Sequence, residues 1–129
     1  MTLAEIYTQF ENCKIWEQRY RLLIQLSRKL PQLSDDERSN IPEIYGCESR
    51  LWFAFQIEPR EIKAYSDARL MQGLLMIVSI ALSEKSADEL LHFDIQHLFD
   101  DLKITKHLTS TRLNGLQQIN QIVKNTLTQ

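Results

Sequence analysis

Apolar positions along this chain recur with two periods, and the switch between them marks its layout. Trp16, Tyr20, Leu23, Leu26 and Leu30 fall three or four apart, the spacing of one buried helix face, and Pro31 ends the run. Ahead of them, Thr2 and Glu5 have the spacing in which a hydroxyl and a carboxylate satisfy open N–H groups at a helix start, which predicts a short helix over residues 3–12. Polar residues dominate between Pro31 and Pro42, where Ser34 and Glu37 repeat the capping pattern for one turn. The period then shortens to two: Leu51, Phe53, Phe55 and Ile57 share one face of a strand, and Trp52, Ala54 and Gln56 the other. Residues 58–61 supply a turn, 62–66 return as the partner strand, and 43–45 add a third.

Helical spacing resumes after the hairpin. Residues 66–82 form the most hydrophobic helix, with Ser66 or Asp67 as its N-cap, and it is expected to pack across the sheet. Ser86 with Glu89, and then Asp94, open two short helices. Leu113, Leu116, Ile119, Val123 and Leu127 stripe the last helix, for which Thr109 to Thr111 are N-cap candidates. The pattern predicts one α+β domain over residues 1–129, a small antiparallel sheet of two to three strands covered by helices.

Composition narrows the function classes. The chain has 129 residues, and its 15 basic against 17 acidic residues leave a net charge of -2, so no basic field draws nucleic acid to it. The longest strongly apolar stretch, residues 74–82, is too short to span a bilayer, and the first residues show no basic leader before an apolar run. A cytoplasmic address with no membrane partner is the expectation. In a reducing compartment the two cysteines, Cys13 and Cys47, are not expected to form a structural disulfide.

Metal and nucleotide chemistry find little support. His92 and His97 are five apart, about 140° around a helix, so they do not share a face as metal-binding pairs do, and no metal site is expected. Glycines at 46, 73 and 115 are scattered, without a phosphate-cradling loop. A hydrolase built on Cys47 and His107 lacks an oxyanion hole or an orienting third group. Trp16, Tyr20, Trp52, Phe53 and Phe55 read as core, and residues 35–38, Asp-Asp-Glu-Arg, as a solvated face.

Cys47 stands apart. Gly46 before it permits a sharp turn and close approach by another group, and Glu48, Ser49 and Arg50 keep the segment polar before the strand begins. Spacing alone leaves two readings open, an inert buried thiol or a poised one. Cys13 reads as packing.

At GCESRLW (residues 46–52) the chain resembles the SufE family of sulfur-acceptor proteins. The same family pattern is matched, in order and spacing, by WEQRYRLLIQLSRKLP (16–31), SDARLMQGLL (66–75), Phe93-Asp94 and HLTSTRLNGL (107–116), so the likeness spans nearly the whole chain. The resemblance implies a SufE/IscU-like α+β fold and a sulfur carrier without a cofactor of its own. Its partner would be a cysteine desulfurase that holds the pyridoxal phosphate, and it would deliver sulfur to an iron–sulfur scaffold or another acceptor. It further implies that Cys47 accepts persulfide sulfur, stimulating the desulfurase rather than acting as a stand-alone enzyme. Arg112 matches the family's arginine near the cysteine loop, and Asp67 the acidic residue of its Ser-Asp pair; both, with Gly46, Glu48, Ser49 and Trp52, are expected to gate the loop or bind the partner. Trp52 would shelter the sulfur. Glu48 departs from the frequent Gln and sets a negative charge beside the thiol, which opposes a thiolate. Ala64 and Tyr65 replace a common Gly-Asp, and Ser110 a common Pro. Two alternatives remain: an interaction module that activates a partner without carrying sulfur, and the paralogous branch that feeds tRNA modification.

Overall fold

In the computed structural model, which describes residues 1–129, the period switch in the sequence becomes a sheet inserted between helices. The elements run α1 (Leu3–Glu11), α2 (Trp16–Ser27), α3 (Asp35–Ser39), β1 (Glu43–Ile44), β2 (Leu51–Gln56), β3 (Glu61–Ser66), α4 (Arg69–Glu84), α5 (Ala87–Leu91), α6 (Ile95–Asp101) and α7 (Ser110–Leu127), with a single 3-10 turn at Thr105–His107 before the last helix. The sheet is antiparallel in the order β1-β2-β3, its register pairing Glu43 with Trp52, Leu51 with Ser66 and Gln56 with Glu61.

Alternation along β2 does what its pattern predicts. Leu51 and Phe53 are fully buried and Phe55 half-buried on one face, against α4 and α7, which contact β3 and β2. Leu74, Leu75, Ile77, Val78, Ala81 and Leu82 of α4 are fully buried, each larger side chain worth about 1.5–3 kcal/mol relative to exposure. The α2 helix lies against α4 with very close backbone approach: a methyl group on Gly73 would overlap the Leu23 carbonyl oxygen and lie 2.9 Å from the carbonyl carbon. Thr109 caps α7 by accepting the Arg112 N–H at 3.3 Å, and Ser34 with Glu37 and Ser86 with Glu89 form complete capping boxes.

Several expectations need correction. Tyr20 is 43% exposed, not core, and Trp16 is half-buried, with its ring stacked on His107 at 4.3 Å. Arg38 does not belong to a solvated face; its guanidinium lies over the rings of Trp52 and Tyr65, at 5.3 and 5.2 Å. The N-cap of α4 is Ala68, without a side-chain bond, because Ser66 is fully buried and Asp67 is bonded to the loop before β2. Thr2 accepts the Glu5 N–H at 3.1 Å, but the Glu5 carboxylate accepts nothing back from the Thr2 N–H, so the first capping box is half formed; the Leu3 N–H donates to Glu84 at 2.8 Å. No helix is long and apolar enough to cross a membrane.

Replacing Gly73 by alanine is expected to push α2 and α4 apart and lower unfolding stability by about 1–3 kcal/mol. Urea denaturation of Gly73→Ala checks this, and an unchanged midpoint would show that the helices are not held at backbone contact.

Candidate functional site

Residues 45–50 join β1 to β2, and none of them makes a backbone–backbone hydrogen bond. Gly46, at φ +92°, occupies the left-handed region that a residue with a Cβ resists, and it turns the chain toward α7. Side chains of α7 then satisfy the loop's carbonyls. Gln118 Nε2 donates to the Tyr45 oxygen at 2.6 Å, and Asn114 Nδ2 to the Gly46 oxygen at 3.3 Å. Added bulk at Gly46 would meet the Asn114 side-chain nitrogen at 2.7 Å and displace the amide that bonds the loop, while the positive φ is what calls for glycine.

Cys47 is half-buried and packs on the hydrophobic core, with its Sγ 3.8 Å from the Ser49 hydroxyl oxygen. The sulfur rests on Gly115: a Cβ built there would stand 3.2 Å from Cys47 Cβ, 3.3 Å from Sγ and 3.1 Å from a Leu51 methyl. Ser49 in turn accepts a hydrogen bond from the buried Ser66 at 3.4 Å.

Glu48 does not leave its charge beside the thiol unanswered. One carboxylate oxygen accepts from the hydroxyls of Thr109 and Thr111, the latter at 3.1 Å, with Arg112 Nε 3.9 Å away. Those two hydrogen bonds, then the guanidinium charge, hold its carboxyl below the usual glutamate range. Arg112 is 22% exposed at its side chain, its Nε is buried without a hydrogen-bond partner, and it makes no hydrogen bond to Cys47. Its charge therefore faces Glu48 first.

The far end of the loop is tied separately. The Arg50 N–H donates to Asp67 at 3.0 Å, and its guanidinium makes two bonds to Glu43, at 2.9 and 3.0 Å, while lying 4.6 Å above the Trp52 ring. The bidentate pair keeps Glu43 well ionised.

Of the residues singled out from sequence, Gly46, Cys47, Glu48, Ser49 and Arg112 converge. Asp67 and Trp52 act at the loop's exit. Trp52 is not the sulfur's shelter; its ring is engaged by Arg50, Arg38 and Tyr65 on the other face of β2, and Leu51 with Gly115 cover the sulfur instead. Thr109, Thr111, Asn114, Gly115 and Gln118 were missed. The signal for four of them was present: Thr111, Asn114, Gly115 and Gln118 are spaced i, i+3, i+4, i+7, a polar and small stripe beside the apolar one. Cys13, just past the end of α1, donates to the Gln9 carbonyl at 3.5 Å, and His107 stacks on Trp16. Both thiols are free, and no three metal-ligating side chains come together.

Comparison with known proteins bears on the family and the fold. The profile of the family described as SufE, Fe-S metabolism associated domain, matches residues 4–127. A Haemophilus influenzae protein named as an uncharacterized SufE-like protein is 44% identical over 122 residues, covering 91% of this chain and 95% of its own. The solution structure of a hypothetical protein from Thermus thermophilus superposes with a TM-score of 0.71 at 16% identity, covering all of both chains, which supports the α+β fold alone.

The hydrogen bonds at Glu48 have a titration consequence. Its folded value lies below the unfolded one, about 4.3, so its stabilising contribution is present above that pH and is lost as pH falls through the folded value. Carboxyl-carbon NMR should give a midpoint below the ordinary range, raised more by Thr111→Val than by Arg112→Gln. A midpoint at or above the ordinary value would contradict the assigned contacts.

Proposed function

Because the chain belongs to the SufE family, a family associated with Fe–S metabolism, we propose that it accepts persulfide sulfur on Cys47 from a pyridoxal-phosphate-dependent cysteine desulfurase and stimulates that enzyme. One observation carries the reading: the thiol is placed on a loop that no backbone hydrogen bond fixes and that a few side-chain bonds hold down. Such a loop can leave its seat as a unit at modest cost, since each neutral hydrogen bond contributes about 0.5–1.5 kcal/mol net. A loop stitched into the sheet could not.

The transfer balances without an external oxidant or reductant. The Cys47 thiolate attacks the terminal sulfur of a persulfide on the desulfurase cysteine. An S–S bond forms to Cys47, the partner's S–S bond breaks, and the partner cysteine leaves as a thiolate ready for another cycle. The pyridoxal phosphate serves the partner's earlier C–S cleavage, and no cofactor on this chain enters the step. Gly46 supplies the rotation that carries the thiol outward, and the loop's return to Gly115 and Leu51 brings the sulfur back beside an apolar wall, limiting contact with water and oxidants. With the loop lifted, Glu48 leaves Arg112, and the guanidinium becomes available to the partner or to the sulfur anion. The sulfane sulfur then passes to an iron–sulfur scaffold or another acceptor.

Two measurements test this reading. Cys47→Ser should still bind the desulfurase while losing its stimulation; full stimulation by that variant would replace sulfur carriage with a purely non-covalent activator. Removing the α7 bonds in Asn114→Ala/Gln118→Ala should raise the alkylation rate of Cys47 by about fivefold to a hundredfold, the loss of two hydrogen bonds appearing as a larger open population. An unchanged rate would mean that those bonds do not restrain the loop.

A further inference from the structure

A cleft of about 260 Å³ lies between α1, the start of α2 and the end of α6, and neither Cys47 nor α7 lines it. Its wall includes Arg19, a guanidinium side chain in a residue only 8% exposed. One of its terminal nitrogens donates to the Cys13 carbonyl at 3.1 Å; its Nε is buried with no partner, and it forms no salt bridge. With one carbonyl as its partner and no counter-ion, the guanidinium is left incompletely paired at the cleft wall. Lys14 and Lys103 line the same cleft, so three cations meet there. Lys103 also adopts φ 60°, the one non-glycine residue of the chain in the left-handed region, a conformation kept where the surroundings impose it. Two acids share the wall, Glu11 and Asp101, and Asp101 is already engaged by the Tyr7 hydroxyl at 3.3 Å and by His97 at 3.8 Å.

We propose that this cleft binds a small oxyanion, of sulfate or carboxylate size, with Arg19 as its buried counter-charge and Lys14 and Lys103 at its rim. The guanidinium offers planar N–H donors that suit two oxygens of one ligand. Three cations against two acids leave the cleft net positive by one charge, which favours a small anion over a highly charged one. The site is independent of the sulfur-transfer reading, because the loop and its latch lie on other elements.

The test uses the full chain, labelled with 15N, and follows the Arg19 Nε–H signal and the Lys14 and Lys103 amides. Sodium sulfate and sodium acetate are titrated separately against sodium chloride at matched ionic strength, since surface charge effects are screened alike by all three. The expected result is a saturable, local shift with sulfate or acetate and none with chloride, weakened at least about tenfold in Arg19→Gln. Lys14→Gln/Lys103→Gln changes two exposed side chains and leaves Arg19 in place, so it should also weaken binding even where Arg19→Gln fails to fold. Shifts that stay linear and chloride-like, or saturable shifts that neither variant alters, would overturn the site.

Discussion

The carbonyls of Tyr45 and Gly46 have no backbone donor, and the side chains of Gln118 and Asn114 supply the bonds that a strand or helix would otherwise provide. The rest of the site follows from that contact. It seats the loop on α7, which brings Cys47 over Gly115, and it sets Glu48 within reach of the Thr109 and Thr111 hydroxyls at the helix start. Water can reach both carbonyls when the amides let go, so each bond contributes only about 0.5–1.5 kcal/mol, and together the α7 amides bias where the loop rests. Because they are side chains, they can also let go without disturbing the helix that carries them.

Well-packed elements surround this loop. The α7 helix is fixed by Leu116, Ile119 and Val123 in the core, and β2 by Leu51 and Phe53 on its inner face. Gly73 allows α2 and α4 to meet at backbone distance, which holds the helical layer beneath the sheet. The loop's exit is anchored through Arg50 to Glu43 and Asp67, so displacement is confined to the few residues between Gly46 and Arg50. A short segment held only by side-chain bonds between two fixed ends suits the proposed sulfur transfer, in which the thiol would reach a partner and then return to shelter.

Much of this was legible from residue spacing. The alternation in β2, the capping pairs at Ser34 and Ser86 and the stripe of α7 specify local structure through short-range physics, and they placed the elements well. Cys47, Gly46 and Glu48 stood out because they are adjacent in the chain. What stayed hidden depends on contacts far apart in sequence. Asp67 is suited to capping, yet the Arg50 N–H claims it; Trp52 looked like the sulfur's cover, yet two arginines and Tyr65 hold its ring. Gly115 was one of three scattered glycines until the loop lay against it, and Thr111, read only as an N-cap candidate, gains its role with Asn114 and Gln118 from a loop far back in the chain. The assignment of chemistry to Cys47 rested on family resemblance, because neither spacing nor burial distinguishes a carrier thiol from a packed one.

The most direct test of sulfur carriage is intact-protein mass spectrometry after incubation with a cysteine desulfurase, pyridoxal phosphate and free cysteine, followed by peptide mapping. The account predicts a gain of at least one sulfur atom, removable by reductant and located on Cys47 rather than Cys13. An unchanged mass under conditions where the desulfurase binds and is activated would contradict it, leaving Cys47 as a packing residue on α7.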